Sequence, residues 1–332
     1  MKFSGICRML EQDIFAISSS EDFTAAALRV FQFQYDNNSV YHEFCEYMKV
    51  KPEAVRSVTD IPFLPIQFFK SHRIISEGYS PQVTFTSSGT TGATVSSHYV
   101  AKTQVYETSF TKAFQLMYGE ASQYAILALL PSYMEREGSS LIYMVDHLVK
   151  KSHHPDSGFY LHDLSALAAK IEYLEAKQQK TLLIGVSYAL LDLLEHYSFS
   201  LEHTVVMETG GMKGRRQEMV KEALHDQLKN GFGVSKIHSE YGMTELLSQA
   251  YSKGHGIFEC PPWMQVLTRD PEDALTLIRG KTGGINVIDL ANLYSVSFIA
   301  TQDLGKIHAD GSFEVLGRFD NSDIRGCNLM VL

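Results

Sequence analysis

Short apolar runs alternate with amphipathic segments through the middle of the chain. Three runs of the buried-strand type occupy residues 124–130, 181–184 and 204–207. Apolar residues at helical spacing separate these runs; they are Leu141, Met144, Val145 and Leu148, and then Ala189, Leu190, Leu193 and Leu194. Short apolar strands joined by helices are typical of a parallel sheet that is covered on both faces. The pattern therefore predicts an α/β fold.

A third helical face follows the third run. It is predicted from apolar residues at Met219, Val220, Ala223, Leu224 and Leu228. The pattern changes on either side of this core. Residues 1–55 have the spacing of helices, whereas short strands follow one another from residue 257 and end in a hairpin with Asp310-Gly311 at its turn.

These changes in pattern predict three parts. We expect an α/β core with a helical N-terminal part over residues 1–256 and a small β subdomain over residues 257–320. A short tail over residues 321–332 then carries Cys327.

Composition and charge exclude several classes of protein. The net charge of −9 disfavours nonspecific binding to nucleic acid or to an anionic membrane. No apolar run reaches the roughly 18 residues that a membrane-spanning helix needs, and the N-terminus lacks the apolar core of a secretory signal. We therefore expect a cytoplasmic protein without membrane insertion. Widely spaced cysteines predict neither a disulfide framework nor a zinc site; they are Cys7, Cys45, Cys260 and Cys327.

A run of small and hydroxylated residues follows the strand-like Val83-Thr84-Phe85. The run reads Thr86-Ser87-Ser88-Gly89-Thr90-Thr91-Gly92. Glycines let the backbone approach an anion, and successive N–H groups in such a turn form a nest for negative charge. The run is thus a candidate phosphate-binding loop, although a polar surface turn fits the same composition. It is not a Walker loop, because no lysine follows Gly92.

Two later turns also have the composition of a nucleotide site. Gly210-Gly211 follows the third apolar run, and paired glycines there let a planar ring pack flat on the backbone; glycines that only turn the chain are the alternative. Tyr241-Gly242-Met243-Thr244-Glu245 combines an aromatic ring, a glycine, a hydroxyl and a carboxylate, which suits a nucleotide with its magnesium ion.

Taken together, five segments resemble successive motifs of the adenylate-forming superfamily of acyl-CoA ligases and their relatives. They are residues 86–92, Gly210-Gly211, Tyr241-Gly242-Met243-Thr244-Glu245, Thr301-Gln302-Asp303-Leu304-Gly305 and Gly317-Arg318-Phe319-Asp320. Five matches in the right order over most of the chain are far more specific than any one of them.

Within that superfamily the chain is most similar to the LuxE-type acyl-protein synthetases, which supply fatty acyl groups to the aldehyde-forming reductase of bacterial luminescence systems. The further segments that carry this resemblance are Ile61-Pro62-Phe63-Leu64-Pro65-Ile66-Gln67-Phe68-Phe69-Lys70, Leu130-Pro131-Ser132-Tyr133, Cys260-Pro261-Pro262-Trp263-Met264 and Arg325-Gly326-Cys327-Asn328-Leu329. Phenylacetate–CoA ligases share the outline less closely. The resemblance implies ATP-dependent activation of a carboxylic acid, expected to be a fatty acid, in the large N-terminal domain of the superfamily.

The resemblance also implies roles for individual residues. Glu245 would hold Mg²⁺ and act in catalysis, Tyr241 would stack on adenine, and Asp303 would accept the ribose hydroxyls. The residues that would bind ATP are Thr86, Ser87, Ser88, Gly89, Thr90, Thr91, Gly92, Gly210, Gly211, Tyr241, Gly242, Thr244, Asp303 and Arg318.

The sequence departs from the superfamily at two points. The chain ends soon after Asp320, so the mobile C-terminal domain with its catalytic lysine is expected to be absent. The lysine usual just after the phosphate loop is also missing, and Lys70, Lys102 and His98 are the candidates to replace it. The resemblance implies that Cys327 accepts the acyl group as a thioester and passes it to a partner such as an acyl reductase.

Three alternatives remain open at the level of sequence. The chain can be an acyl-CoA ligase that does not use Cys327, or a catalytically inactive relative that acts as a scaffold. The third alternative is a serine acyl hydrolase, because Gly185-Val186-Ser187 follows a strand and opens a helix, as in a nucleophile elbow. Ala189 then replaces the second glycine of that motif, which argues against the hydrolase.

Overall fold

The computed structural model describes residues 2–88, 94–132, 134–210 and 219–319. Its helices are α1 Lys2–Ile14, α2 Ser20–Asn37, α3 Ser39–Tyr47, α4 Phe68–Ser71, α5 Thr103–Tyr118, α6 Ser140–Ser152, α7 Leu164–Ala176, α8 Ser187–Leu194 and α9 Lys221–Phe232. Its strands are β1 Leu64–Pro65, β2 Val83–Thr86, β3 Ser97–Val100, β4 Ala125–Leu129, β5 Gly158–Phe159, β6 Thr181–Val186, β7 Thr204–Thr209, β8 His238–Tyr241, β9 Ala250–Ser252, β10 Ile257–Phe258, β11 Met264–Arg269, β12 Leu277–Ile278, β13 Gly283–Asp289, β14 Phe298–Ile307 and β15 Phe313–Arg318.

The chain divides into two compact units. The first unit comprises Met1–Tyr106, Glu245–Ser248 and Glu259–Leu332, and the second comprises Glu107–Thr244 and Gln249–Phe258. The boundaries expected from sequence after residues 256 and 320 stay predictions.

The second unit is built on a mostly parallel sheet. Its strand order is β5-β4-β6-β7-β8-β9, in which β9 alone runs antiparallel to its neighbour. Every residue of β4 and β6 is buried, which explains why these strands are continuous apolar runs instead of alternating ones. The α/β prediction is therefore confirmed. The carboxyl ends of β6, β7 and β8 lie at one edge, where open parallel sheets bind ligands.

Helices of the second unit bury the apolar faces that their spacing predicts. In α6 the buried side chains include Met144, Val145 and Leu148, and burying each contributes roughly 1.5–3 kcal/mol. The Ser139 side chain caps this helix by accepting a hydrogen bond from the Ile142 N–H.

Helix α9 differs from its predicted face. Leu224 and Leu228 are buried as expected, but Val220 is 70% exposed and Ala223 is exposed as well. Val220 is the N-cap residue with extended backbone, so it lies outside the helical repeat, and His225 and Phe232 complete the buried face instead.

The first unit contains an antiparallel sheet in the order β15-β14-β13-β11-β12. Strand β1 adds to it in parallel, with Leu64 opposite Ile299 on β14. The β14–β15 register places Asp303 opposite Arg318. Strands β2 and β3 form a separate antiparallel pair.

A buried amide fixes the N-terminal helices to the rest of the first unit. Gln34 on α2 is fully buried; its Nε2 donates to the carbonyls of Asn292 and Leu293 at 3.0 Å, and its Oε1 accepts from the Ser297 N–H at 3.0 Å. One side chain therefore holds both ends of the turn that follows β13. In the part of the chain that the structure describes, no helix is both long and apolar enough to cross a membrane.

Candidate functional site

Strands β2 and β3 form the described flanks of the predicted phosphate loop. The Ser87 N–H donates to the Ser96 carbonyl at 3.1 Å, and the Ser96 N–H donates to the Ser87 Oγ at 2.9 Å. These two bonds close the hairpin where the loop leaves it. Thr86 and Ser87 are half-buried and Ser88 is exposed. The hairpin thus brings Ser96, which the motif does not include, beside the predicted loop.

The Glu245 carboxyl lies next to this hairpin and is 6% exposed. Burial raises the pKa of Glu245 above its ordinary value, whereas the Ser96 hydroxyl donates a hydrogen bond to it and lowers the pKa. The positive charges of Arg318 and Lys70 act in the same lowering direction. Glu245 is therefore a buried carboxyl whose charged form depends on a hydroxyl and two cations.

The backbone around Glu245 is held by two buried polar side chains. Asn292 Nδ2 donates to the Glu245 carbonyl at 2.7 Å. Asp289 Oδ2 accepts from the N–H groups of Leu247 and Ser248 at 2.7 and 3.0 Å, and its Oδ1 accepts from the Ser248 hydroxyl at 2.5 Å. Burial raises the pKa of Asp289 to about 6 although these donors favour its charged form. The segment from Glu245 to Ser248 is thus held by two side chains of the turn that follows β13.

Asp303 and Arg318 form an ion pair on adjacent strands. Arg318 Nε donates to Asp303 Oδ1 at 3.1 Å, with the carboxylate almost buried and the guanidinium side chain 77% exposed. A pair with one exposed partner contributes little to stability. The pair places an acceptor suited to hydroxyl groups beside a permanent positive charge suited to phosphate.

The three candidates for the missing lysine have different surroundings. Lys102 donates to Glu11 Oε1 at 2.6 Å and to the Tyr294 hydroxyl at 2.8 Å. His98 is fully buried with its ring against the edge of Phe69. Lys70, on the short helix α4, is exposed and its charge acts on Glu245. These surroundings favour Lys70.

The second unit holds the other predicted nucleotide-binding residues. Gly210 follows β7 with a φ of +27°, a backbone conformation that favours glycine. Tyr241 ends β8, is 8% exposed, and has its ring centroid 5.8 Å from that of Phe258. Thr244 is half-buried.

The absence of a side chain at Gly242 leaves room for the buried carboxylate of Glu240. Thr209 Oγ1 donates to Glu240 Oε2 at 2.7 Å, and both side chains are buried. A Cβ at Gly242 would lie 2.4 Å from Glu240 Oε1, so a larger residue would displace this carboxylate.

Ser187 does not have the surroundings of a serine nucleophile. It is 2% exposed, and its hydroxyl donates to Glu208 Oε2 at 3.2 Å instead of to an imidazole. Its φ is not in the positive region that the strained turn of a nucleophile elbow uses. Glu208 lies 3.5 Å from both Lys221 Nζ and His225 Nε2, and these contacts help to keep its pKa below the ordinary value. The geometry argues against the hydrolase.

Several predicted site residues lie outside the described residues; they are Gly89, Thr90, Thr91, Gly92, Gly211 and Cys327. Among the described residues, no group of three or more His, Cys, Asp or Glu side chains could hold a metal ion. Glu245 nevertheless supplies the oxygen donor that Mg²⁺ prefers, and Mg²⁺ is usually held through one or two carboxylates together with substrate phosphates.

Comparison with known families decides what these residues belong to. The family described as acyl-protein synthetase, LuxE, matches residues 8–332 of this chain. The chain belongs to this family. It is accordingly an acyl-protein synthetase, an AMP-forming ligase that activates an acyl group with ATP.

Individual relatives are distant in sequence. The long-chain-fatty-acid–luciferin-component ligase of Vibrio harveyi is 22% identical, with 90% of this chain and 84% of that protein covered. The 2-hydroxyisobutyryl-CoA ligase, solved in an open conformation with 2-HIB-AMP and CoA, is 12% identical with a TM-score of 0.66, over 92% of this chain and 72% of that one.

ATP-bound MatB from Rhodopseudomonas palustris is 19% identical with a TM-score of 0.55, over 74% of this chain and 49% of that one. The chain therefore spans about half of MatB. These structures confirm the adenylate-forming fold that the five motifs implied.

Sequence reasoning missed Ser96, Asp289 and Asn292. Ser96 lies beyond the glycine-rich run, and the other two lie between motifs. A signal was present only for Asp289, which is the one charged residue of its strand and is followed by Leu290-Ala291-Asn292. A charged residue at such a place often accepts backbone hydrogen bonds in the turn that follows.

Proposed function

We propose that this LuxE family member activates a long-chain fatty acid as its acyl-adenylate and then carries the acyl group on Cys327. The observation that supports the first step best is the Glu245 environment. A buried carboxyl accepts a hydrogen bond from Ser96 at the foot of the predicted phosphate loop and lies in the field of Lys70 and Arg318. The carboxylate suits a metal ion, and the two cations suit the ATP phosphates that such an ion accompanies.

In the first step a carboxylate oxygen of the acid attacks the α-phosphorus of ATP. The bond from that phosphorus to the bridging oxygen breaks, and pyrophosphate leaves with the electron pair. Lys70 and Arg318 would offset the charge on the phosphates, and Asp303 would accept hydrogen bonds from the ribose hydroxyls. Glu245 in its charged form would hold Mg²⁺, which when bound reduces the negative charge of the phosphates. Gly210 and Tyr241 stay predicted contacts of adenine.

In the second step the Cys327 thiolate attacks the acyl carbonyl carbon. The bond from that carbon to the phosphate oxygen breaks, AMP leaves with the electron pair, and a thioester forms on the protein. The family description, acyl-protein synthetase, supports a protein-bound acyl group, and the name of the Vibrio harveyi relative supports a long-chain fatty acid. The proposed recipient is a partner acyl reductase.

Carboxylate-dependent exchange of labelled pyrophosphate into ATP tests the first step. We expect exchange with long-chain fatty acids and little with short or aryl acids. In Glu245→Gln the exchange rate should fall by about 100-fold or more, because the amide keeps the size but cannot carry the charge. Glu172→Gln, at an exposed position of α7 in the second unit, is the matched control and should leave the exchange rate unchanged. Absence of exchange with any acid in a folded wild-type protein would instead support an inactive scaffold.

Covalent labelling tests the second step. After incubation with ATP, magnesium and labelled fatty acid, the denatured wild-type protein should retain label that neutral hydroxylamine releases, and Cys327→Ser should lose that release. Cys260→Ser is the matched control, because burial raises the pKa of the Cys260 thiol to about 12 and makes it a poor nucleophile. A CoA-dependent thioester product without protein label would contradict the proposal and support an acyl-CoA ligase.

A further inference from the structure

Arg269, at the end of β11, is a nearly buried guanidinium that none of the sequence motifs includes. It is 9% exposed. Its Nη1 donates to the Ile285 carbonyl and to Asn286 Oδ1, both at 2.7 Å, and its Nη2 donates to the Thr301 carbonyl at 2.5 Å. Charged side chains are rarely buried unless other groups pair with them, because removing a charge from water is costly in free energy. Here the three acceptors are neutral and lie on two neighbouring strands, β13 and β14.

The backbone of β13 is adapted to this side chain. A Cβ at Gly284 would lie 2.6 Å from Arg269 Cζ and 2.9 Å from its Nε and Nη2. Any residue other than glycine would therefore displace the guanidinium. The register of β13 against β14 also shifts between Gly284 and Asn286, which is where the guanidinium lies.

The same guanidinium is connected to Asp303 by short steps. Arg269 Nη2 binds the Thr301 carbonyl, and the Thr301 hydroxyl accepts from the Asp303 N–H at 3.1 Å. Burial lowers the pKa of Arg269 below its ordinary value, and the negative charge of Asp303 opposes that decrease, so the two charges also interact directly.

Arg269 is also close to the segment that follows β15. Its Cζ lies 5.7 Å from the centroid of the Phe319 ring, within the range of a cation–π interaction. The Phe319 N–H donates to the Gln302 carbonyl at 2.7 Å. Arg269 thus contacts both chain segments that bracket Asp303, namely Thr301 before it and Phe319 across from it.

From this geometry we infer that Arg269 is a positioning residue for recognition of the nucleotide ribose. It acts through Asp303, which it fixes by way of Thr301 and Phe319, and it does not touch the reacting atoms. The inference rests on the proposed function, in which Asp303 accepts the ribose hydroxyls. Lysine cannot replace arginine here, because its single ammonium group cannot reach acceptors on both strands and stack on Phe319 at the same time.

Pyrophosphate exchange with two nucleotides tests the inference. In Arg269→Lys the KM for ATP should rise about tenfold while kcat stays within about threefold. The reason is that a misplaced Asp303 weakens binding of the ribose equally in the ground state and in the transition state. With 2′,3′-dideoxy-ATP, which lacks both hydroxyls, the KM of Arg269→Lys should differ from that of wild type by less than about 1.5-fold. Arg279→Lys, at an exposed position on the same unit, is the matched control and should change neither value.

Two outcomes would overturn the inference. One is an unchanged KM for ATP in folded Arg269→Lys, and the other is an equal rise of KM for ATP and the dideoxy analogue. If Arg269→Lys does not fold, Asn286→Ala removes one acceptor only and should show the same selective rise in the KM for ATP, by about threefold. Asp303→Ala separates this inference from the proposed function. Should Asp303→Ala raise the KM of both nucleotides equally, the ribose assignment itself is wrong; should it discriminate while Arg269→Lys does not, only the Arg269 inference is wrong.

Discussion

At Glu245, opposite effects act on one carboxyl. Burial favours the protonated form, while Ser96, Arg318 and Lys70 favour the charged form. The pKa of Glu245 is raised, so it loses its charge at a higher pH than an ordinary glutamate as the pH falls. That charge is the one proposed to hold the metal ion. Activity at low pH therefore depends on the neighbours of Glu245.

Lys70→Met tests that dependence. Removing a cation destabilises the Glu245 carboxylate, so the pKa of Glu245 rises and the acid limb of the kcat/KM profile for pyrophosphate exchange should move to higher pH. We also expect kcat to fall by about tenfold or more, because the positive charge of Lys70 would no longer offset the negative charge of the phosphates.

Lys102→Met is the control for Lys70→Met. Its ammonium group is bonded to Glu11 and Tyr294, so its loss should lower the melting temperature and leave the acid limb in place. If Lys102→Met moves the acid limb and Lys70→Met does not, the choice between the two lysines is wrong.

At the scale of an element, the turn after β13 decides where the Glu245 segment lies. Asp289 accepts hydrogen bonds from Leu247, Ser248 and Ala291, and it is fully buried. Its pKa of about 6 lies above the ordinary 3.8, so the folded protein keeps this proton to a higher pH than the unfolded chain. The contribution of Asp289 to stability is then full below pH 3.8 and declines as the pH rises to about 6.

Asp289→Asn makes this pH dependence measurable. The free energy of unfolding of the wild type, minus that of Asp289→Asn, should decrease by about 2 kcal/mol between about pH 4 and about pH 7. Urea denaturation followed by circular dichroism gives the values, and Asp36→Asn on the exposed face of α2 is the matched control. A difference that increases with pH would mean that the hydrogen bonds to Asp289 outweigh its burial.

For the whole molecule, the proposed reaction predicts that a stable acyl-adenylate analogue binds the folded chain alone. A ligand at 100 times its dissociation constant stabilises a protein by about 2.7 kcal/mol. A fatty acyl sulfamoyl adenosine should therefore raise the melting temperature of the wild type by several degrees. Asp303→Ala should reduce the rise at the same concentration, whereas Asp273→Ala on an exposed loop should not. No rise with the wild type would contradict acyl-adenylate formation.

The sequence pattern was informative where a structure depends on neighbouring residues. It predicted β4, β6 and β7, together with α6 and α8, to within a few residues, because continuous apolar runs and helical spacing report local burial. It did not predict β5, α7 or β3. Strand β5 has two residues, and the buried positions of β3 are His98 and Val100, so its apolar alternation is too short to be recognised.

What the sequence by itself determined is the order of the motifs, the α/β fold and the family, since these depend on residues that are close along the chain. Only the tertiary structure placed Ser96 beside Glu245 and the Asp289 carboxyl beside the N–H groups of Leu247 and Ser248. It also placed Arg269 between Thr301 and Phe319. Strand register and side-chain burial decide such contacts, and they join positions up to about 150 residues apart; local spacing along a sequence carries no information on them.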